Sequence, residues 1–381
     1  MKILKYIFIF SLFAISGCGR RDKALIDKSS GPANEITNAQ RFAIYRHKDF
    51  AEVKIINPWQ GATDVTQVYH LIKRGSRLPD GIDSSSVIFV PVNKIICMST
   101  THLSIISALG EQQSIAGISG AGFIYSRELI QRAEEGLISD VGYEANLNKE
   151  LILKIHPDLL MIYGIGSESS GYLGKLKELG IRVIINADYL ETDPLSRAEW
   201  IKLFGALYLK EDLADSIYNR EVAEYTNIKT YIQKNTSDRP KVLLGLPFKD
   251  TWYISPGNSF ISKMIGDAGG EYLWSETKSA VSMPYGIENV YLKGLKADYW
   301  LNIGTVHQKN EISAIDPRLD DLGCFKHDNL YNNNNRVTSK GGNDYWESGI
   351  LYPHLILKDI ASVLHPGLFP GYELMFYRKV N

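Results

Sequence analysis

From about Glu211 to Asn235 the chain contains neither glycine nor proline, and the next helix breaker is Pro240. Leu213, Ile217, Val222, Tyr225, Ile228 and Ile232 recur at steps of three to five, the spacing of one apolar helical stripe. Lys210, Glu211, Asp212, Asp215, Arg220, Glu221 and Glu224 fill much of the remaining surface. At 1.5 Å per residue this helix is about 36 Å long. Strand-and-helix patterns lie on both sides of it, so it can serve as a strut between two α/β halves with a cleft between them. The same stripe also fits an ordinary amphipathic helix on one larger domain, and the flanking segments decide between the two.

The N-terminus reads as an address. Lys2 and Lys5 precede an apolar run, Ile7 to Ile15, that is too short to span a bilayer comfortably and fits a signal peptide. It ends in Ile15-Ser16-Gly17-Cys18, a pattern that fits the bacterial lipobox. Residues 1–17 are then the leader, Cys18 the lipidated residue of the mature chain, and 18–40 a polar tether. An acyl anchor of this kind holds a body at a membrane surface without spanning it. Of the other cysteines, Cys97 lies in an apolar strand and Cys324 in a polar loop, and nothing in their spacing argues for a bond. Lys plus Arg total 42 against 43 for Asp plus Glu, which gives no reason to expect nucleic acid.

Residues 41–86 read as a β-rich entry, a small meander packed on the first lobe, with runs Phe42 to Tyr45, Ala51 to Ile56 and Gln67 to Ile72. Strands and helices then alternate over 87–193, which predicts a parallel sheet covered on both faces. Linking helices occupy 194–238, including the strut, and the alternation returns over 239–381, with a closing helix expected from Ser348 to Leu364. The two α/β lobes share a phrase. Tyr143, Glu150 and Asp158 before Leu-Leu-Met-Ile-Tyr-Gly164 are echoed by Tyr285, Glu288 and Asp298 before Tyr-Trp-Leu-Asn-Ile-Gly304. Each phrase places an aromatic loop, an acid at a helix start, a helix, an aspartate and a buried strand. The fold expected is therefore α/β, two Rossmann-like lobes with parallel sheets joined by one long helix. The ligand cleft lies between the lobes, beyond the carboxyl ends of the strands.

In these stretches the chain resembles a class III periplasmic (substrate-binding) protein of ABC importers, the receptor type for iron complexes and cobalamin. The matching segments are Lys94 to Gly110, Val141-Gly-Tyr143 to Asp158, Ile254-Ser-Pro-Gly-Asn-Ser-Phe260, Asp267-Ala-Gly-Gly270, Gly286-Ile-Glu288 to Asp298, and the final His365-Pro366. The resemblance covers about residues 87–370 and leaves 41–86 outside. It implies that Glu150 and Glu288, one on each lobe, pair with arginines of the permease dimer. Two separated surface carboxylates set docking register and steer association more than they add affinity. Each also fits a plain helix-start acid favoured by the helix dipole.

The candidate ligand contacts are aromatic side chains in the strand-end loops. Tyr143, Trp252, Tyr285 and Trp346 match the resemblance best, with Tyr125, Tyr163, Tyr189 and Tyr345 beside them; core packing is the competing reading for each. Asn343-Asp344 beside Gly341-Gly342 fits either a ligand contact or a turn. The expected function is a lipid-anchored receptor in the bacterial cell envelope, facing the periplasm or the cell exterior, that delivers a metal complex to an ABC permease. Loops rich in aromatics and amides and poor in arginine favour cobalamin or another corrinoid over a ferric siderophore. No catalysis and no protein-bound cofactor are implied. The rivals are haem, a bare transition-metal ion with His102 as one ligand, or a two-lobed enzyme of glycosyltransferase type. The enzyme reading lacks a Gly-x-Gly-x-x-Gly after the first strand, a P-loop and a cysteine cluster.

Overall fold

A computed structural model describes residues 34–143, 146–164, 174–176 and 178–381. The leader, Cys18 and most of the tether lie outside those residues. Among the described residues, no helix is long and apolar enough to cross a membrane.

The chain enters through β1 (Phe42–Arg46), β2 (Phe50–Ile56) and β3 (Thr66–Lys73), an antiparallel meander. A fourth strand, β4 (Val87–Val90), pairs parallel to β3 and completes the sheet beyond the three runs expected. This entry sheet does not stand apart. Phe42, Val53, Ile55 and Leu71 share one core with the N-terminal lobe, and the Phe42 ring lies 4.5 Å from that of Trp200. Two buried carboxylates fasten the incoming backbone. Glu199 accepts from the amides of Thr37, Asn38 and Ala39 at 2.7–2.8 Å, and Glu191 accepts from Arg41 at 2.9 Å.

The N-terminal lobe holds β5 (Ile95–Cys97), β6 (Ile115–Ile118), β7 (Ser139–Asp140), β8 (Leu159–Ile162) and β9 (Val183–Ile185), all parallel, in the order β7-β6-β5-β8-β9. Every residue of β5, β8 and β9 is buried, as a sheet covered on both faces requires. The C-terminal lobe holds β10 (Lys241–Leu244), β12 (Glu271–Tyr272), β14 (Tyr299–Leu301) and β15 (Leu330–Asn332) in parallel. Its order is β12-β10-β14-β15, with β16 (Arg378–Lys379) as an antiparallel edge. A separate antiparallel ribbon pairs β11 (Thr251–Ile254) with β13 (Met283–Gly286). The repeated aspartates have one structural task. Asp158, before β8, accepts from the Lys94 amide at 3.0 Å, and Asp298, before β14, accepts from the Lys241 amide at 2.7 Å. Each ties the start of its strand to the start of the neighbouring central strand.

The strut spans Glu211–Asn235 and belongs to both lobes. Ala214, Ile217 and Tyr218 enter the first core, and Tyr225 and Ile232 enter the second. Its buried face turns along its length, because the helix Ile201–Tyr208 covers the first half and the helix Pro353–Leu364 the second. Leu213, expected in the stripe, is consequently exposed, and Glu221, expected on the surface, is buried. Glu221 accepts from His354 Nδ1 at 2.5 Å and from Arg220 at 3.3 Å. The closing helix begins at Pro353 rather than Ser348. Proline lacks the amide a helix interior needs and fits its first turn, so a short helix, Asp344–Glu347, precedes it as a separate element.

Cys97 and Cys324 are both free and buried, one in each core. Cys324 sits in a short helix, Gly323–Lys326, rather than in a polar loop, and burial pushes its thiol up to about 12. His102 is no surface ligand either. It is buried beside Phe204, and burial lowers its imidazole to about 3.

Candidate functional site

A cavity of about 950 Å³ opens at the carboxyl ends of β10, β14 and β15. Chain order reverses between β12 and β14 on either side of β10, the switch point where open parallel sheets leave a crevice. Gly245 follows β10, Asn302 and Gly304 follow β14, and Asn333 and Asn334 follow β15. Tyr253, Phe260, Val337, Tyr345 and Trp346 supply apolar surface; Thr305, Thr338, Ser339 and Asn343 supply hydroxyls and amides. Among the described residues, no lysine, arginine, aspartate or glutamate lines it.

Asparagines frame this wall. Asn332, fully buried, donates to the carbonyls of Gly304 at 3.1 Å and Val306 at 2.9 Å, which fixes the loop after β14. Asn302 has a φ of 55° and accepts from the Tyr377 hydroxyl at 2.7 Å. Asn343 donates to the Asn333 carbonyl at 3.1 Å and caps the short helix by accepting from the Tyr345 amide at 3.0 Å. Asn343-Asp344 is thus a helix start rather than a turn, and Asn343 also lines the cavity. His307 Nδ1 lies 2.8 Å from Arg378. An arginine only donates, so Nδ1 is the acceptor and a neutral ring carries its proton on Nε2. That tautomer presents a donor and no free lone pair.

Across the cleft, Phe123 and Tyr143 of the N-terminal lobe form an edge pair with ring centroids 6.4 Å apart. Asp140, at the end of β7, positions both loops by accepting from Gly120, Ala121 and Gly142 at 2.8–3.1 Å. Gly120 has a φ of +75°, and a Cβ there would lie 2.7 Å from the Tyr143 hydroxyl, so glycine lets the pair close over the backbone. Phe123 faces Gly341 of the cavity wall, where a Cβ would lie 3.6 Å from its ring.

The aromatic candidates divide. Trp346 lines the cavity and is 50% exposed; Tyr345, behind it at the wall, is only 3% exposed, belongs to the C-terminal core and packs edge to face against Trp346 at 4.8 Å. Tyr143 is exposed on the opposite lobe. Trp252 is 0% exposed; its indole donates to the Leu244 carbonyl at 3.0 Å and lies 5.6 Å from the Trp300 ring. Tyr285 pairs directly with Trp252 across the ribbon and packs against Trp274, so it shares the inward face. Strand alternation puts the next residue, Tyr253, on the cavity at 57% exposure. Tyr125 borders a second cavity, of about 730 Å³, between the lobes beside the strut, with the Arg336 guanidinium 5.2 Å from its ring. Tyr163 and Tyr189 do not line the main cavity, and the Tyr189 hydroxyl donates to the Gly164 carbonyl.

Sequence reasoning passed over Tyr253, His307 and the run Asn332-Asn333-Asn334-Asn335. Four consecutive asparagines after a buried strand were the available signal. Glu150 and Glu288 each occupy the first turn of a surface helix, Lys149–Ile155 and Ile287–Gly294, and both are exposed. Arg318 approaches Glu288 at 3.6 Å. Among the described residues no three His, Cys, Asp or Glu side chains group as metal ligands.

Comparison with known proteins places this architecture. A periplasmic heme binding protein from Pseudomonas aeruginosa superposes with a TM-score of 0.59 at 15% identity, over 76% of this chain and 98% of that one. A structure described as an ABC-type Fe3+-hydroxamate transport system, from Saccharomonospora viridis, gives a TM-score of 0.54 at 16% identity, over 72% and 94%. An uncharacterized lipoprotein of Methanocaldococcus jannaschii is 29% identical over 309 residues, 78% of this chain and 71% of its own length. The family model described as Periplasmic binding protein matches residues 95–302. With two doubly wound lobes, a shared strut and a strand-end cleft, the chain belongs to the periplasmic binding protein family, in its class III form.

Proposed function

We propose that this chain is the extracytoplasmic receptor of an ABC importer, tethered through a lipid on Cys18, and that its cargo is an electrically neutral metal complex. The observation that carries the reading is the cavity wall: seven apolar or aromatic side chains, several amides and hydroxyls, and, among the described residues, no charged carboxylate or cation. A corrinoid such as cobalamin, whose ring edge is decorated with amides, meets both features. Asparagine and threonine match its periphery, and Tyr253 and Trp346 give flat apolar area. A neutral ferric hydroxamate fits the same uncharged wall and is the second reading. An anionic catecholate complex or the propionates of haem would call for arginine or lysine, and none lines the wall among the described residues. His307 offers them a donor N–H and no metal ligand.

Delivery rests on Glu150 and Glu288, which are exposed at helix starts on separate lobes, where carboxylates can meet a cationic permease surface. The strut enters both cores, so lobe movement on loading is small. The lipoprotein relative supports the anchored placement. Tryptophan-fluorescence titration with cyanocobalamin, a neutral ferric hydroxamate and haem in parallel tests the reading. Saturable binding of a neutral complex supports it. Preference for haem, or no saturable binding by folded protein, overturns it.

A further inference from the structure

One segment of the C-terminal lobe faces two ways. Val337, Thr338, Gly341 and Asn343 line the ligand cavity, and so do Tyr345 and Trp346. The same segment also grips the other lobe. Both oxygens of Glu347 accept from consecutive backbone amides of the N-terminal lobe, Tyr125 at 2.6 Å and Ser126 at 2.9 Å. These amides stand at the start of the helix Arg127–Glu134, where backbone donors point outward and favour negative charge. Gly342 presses so closely on this loop that a Cβ would lie 2.3 Å from the Ile124 carbonyl. Glu347 is 3% exposed. Among the described residues it forms no ion pair, because the nearby cation, Arg336, is held by Asp344 at 2.7 Å.

We propose that Glu347 latches the two lobes together and thereby positions segment 337–346 for ligand, so that lobe closure depends on the proton bound at this carboxyl. The inference rests on the receptor reading only for its ligand consequence; the latch itself is a property of the fold. Its surroundings set the sign. Burial, and then the Asp344 charge, push Glu347 up to about 7, against the pull of the two amides. Asp344 belongs to its own helix, Arg336 to the preceding turn and Tyr125 to the facing loop. Across the second cavity stand Arg220, Glu221 and Glu224 of the strut and His354 of the final helix, with Glu221 engaged by His354 and Arg220. When the lobes part, the carboxyl meets water and returns to its ordinary value, about 4.3. The latched state holds the proton more tightly, so closure is strongest below that value and is lost as pH rises through about 7. From pH 6 to pH 8 the linkage relation weakens closure about tenfold.

Amide hydrogen exchange of the full chain, corrected for intrinsic rates, reads the latch without any ligand. Protection at Tyr125 and Ser126 is expected to fall about tenfold between pH 6 and pH 8. Glu347→Gln keeps the shape but cannot titrate, and its protection is expected to be flat with pH. Asp344→Asn removes the charge that raises Glu347, so its transition moves to lower pH. Wild-type protection independent of pH overturns the proposal, as does a tenfold change retained in Glu347→Gln. If Glu347→Gln does not fold, an unmoved transition in Asp344→Asn overturns it. In the same samples, release of bound cyanocobalamin is expected to quicken from pH 6 to pH 8 in wild type only. Failure of cyanocobalamin to bind counts against the corrinoid reading and leaves the exchange result to decide the latch.

Discussion

Trp252 and Tyr253 are neighbours on one strand, and truncating them is expected to have opposite consequences. Trp252 is fully buried, stacked near Trp300 and hydrogen-bonded to the Leu244 carbonyl. Trp252→Ala leaves a cavity that neighbouring side chains fill only in part, at a cost of about 3–5 kcal/mol. The unpartnered carbonyl adds about 1 kcal/mol. With a urea slope of about 1–3 kcal/mol per molar, the midpoint of the C-terminal lobe falls by at least about 1 M. Tyr253 is 57% exposed and lines the cavity. Tyr253→Ala should move the midpoint by less than about 0.5 kcal/mol equivalent. Loss of an aromatic anchor should instead weaken ligand binding by about 1–2 kcal/mol, roughly 5- to 30-fold. Urea unfolding followed by circular dichroism, with cyanocobalamin titration of the folded variants, measures both effects. Equal destabilisation by the two changes would refute the reasoning, as would a stable Trp252→Ala that has lost binding.

Three further outcomes are expected. Glu150→Ala combined with Glu288→Ala should abolish transport in a reconstituted uptake assay while ligand affinity stays unchanged; a fallen affinity would assign these acids to the cleft. Glu199→Gln should release the entry sheet to limited proteolysis, costing about 2–3 kcal/mol through the lost charge-assisted bonds. Burial alone would raise the Glu199 carboxyl, but bonds from Thr37, Ala39 and Asn38 outweigh it and hold the value below normal. This contribution is therefore complete above the ordinary carboxyl value, about 4.3, and is lost as pH falls through the lower folded one. Wild-type proteolysis that does not increase in acid would count against it. Glu221→Ala should cost about 3 kcal/mol by stripping the buried partner from His354, and an unchanged unfolding curve would show the pair to be idle.

The features most legible in the sequence were those written locally. The strut declared itself by an unbroken helical period, and its bounds, Glu211–Asn235, are those observed. The echoed aspartates marked the two lobes because each performs the same strand-tying task at Asp158 and Asp298. What stayed hidden depended on partners far away in the chain. Glu221 reads as a surface acid until the helix Pro353–Leu364 covers it with His354. Glu347 lies 222 residues from the Tyr125 amide it receives. Choosing Tyr253 over Trp252 needed the register of a two-residue alternation, and an aromatic pair does not reveal which ring faces inward. The entry sheet was legible as a small meander packed on the first lobe, but not how it is fastened, because Glu199 and Glu191, which secure it, are encoded some 150 residues later. The asparagine run carries no helical or strand period, and its role as a frame emerges only from the carbonyls it meets.

The central claim is that an uncharged metal complex occupies the strand-end cleft. Calorimetric titration of cyanocobalamin into the wild-type chain and into the folded double variant Tyr253→Ala, Trp346→Ala tests it most directly. The account predicts one-to-one saturable binding by wild type and at least tenfold weaker binding by the variant, since two aromatic anchors are removed at about 1 kcal/mol or more each. Equal binding by both proteins would place the ligand elsewhere, and no heat of binding with folded wild type would contradict the corrinoid assignment.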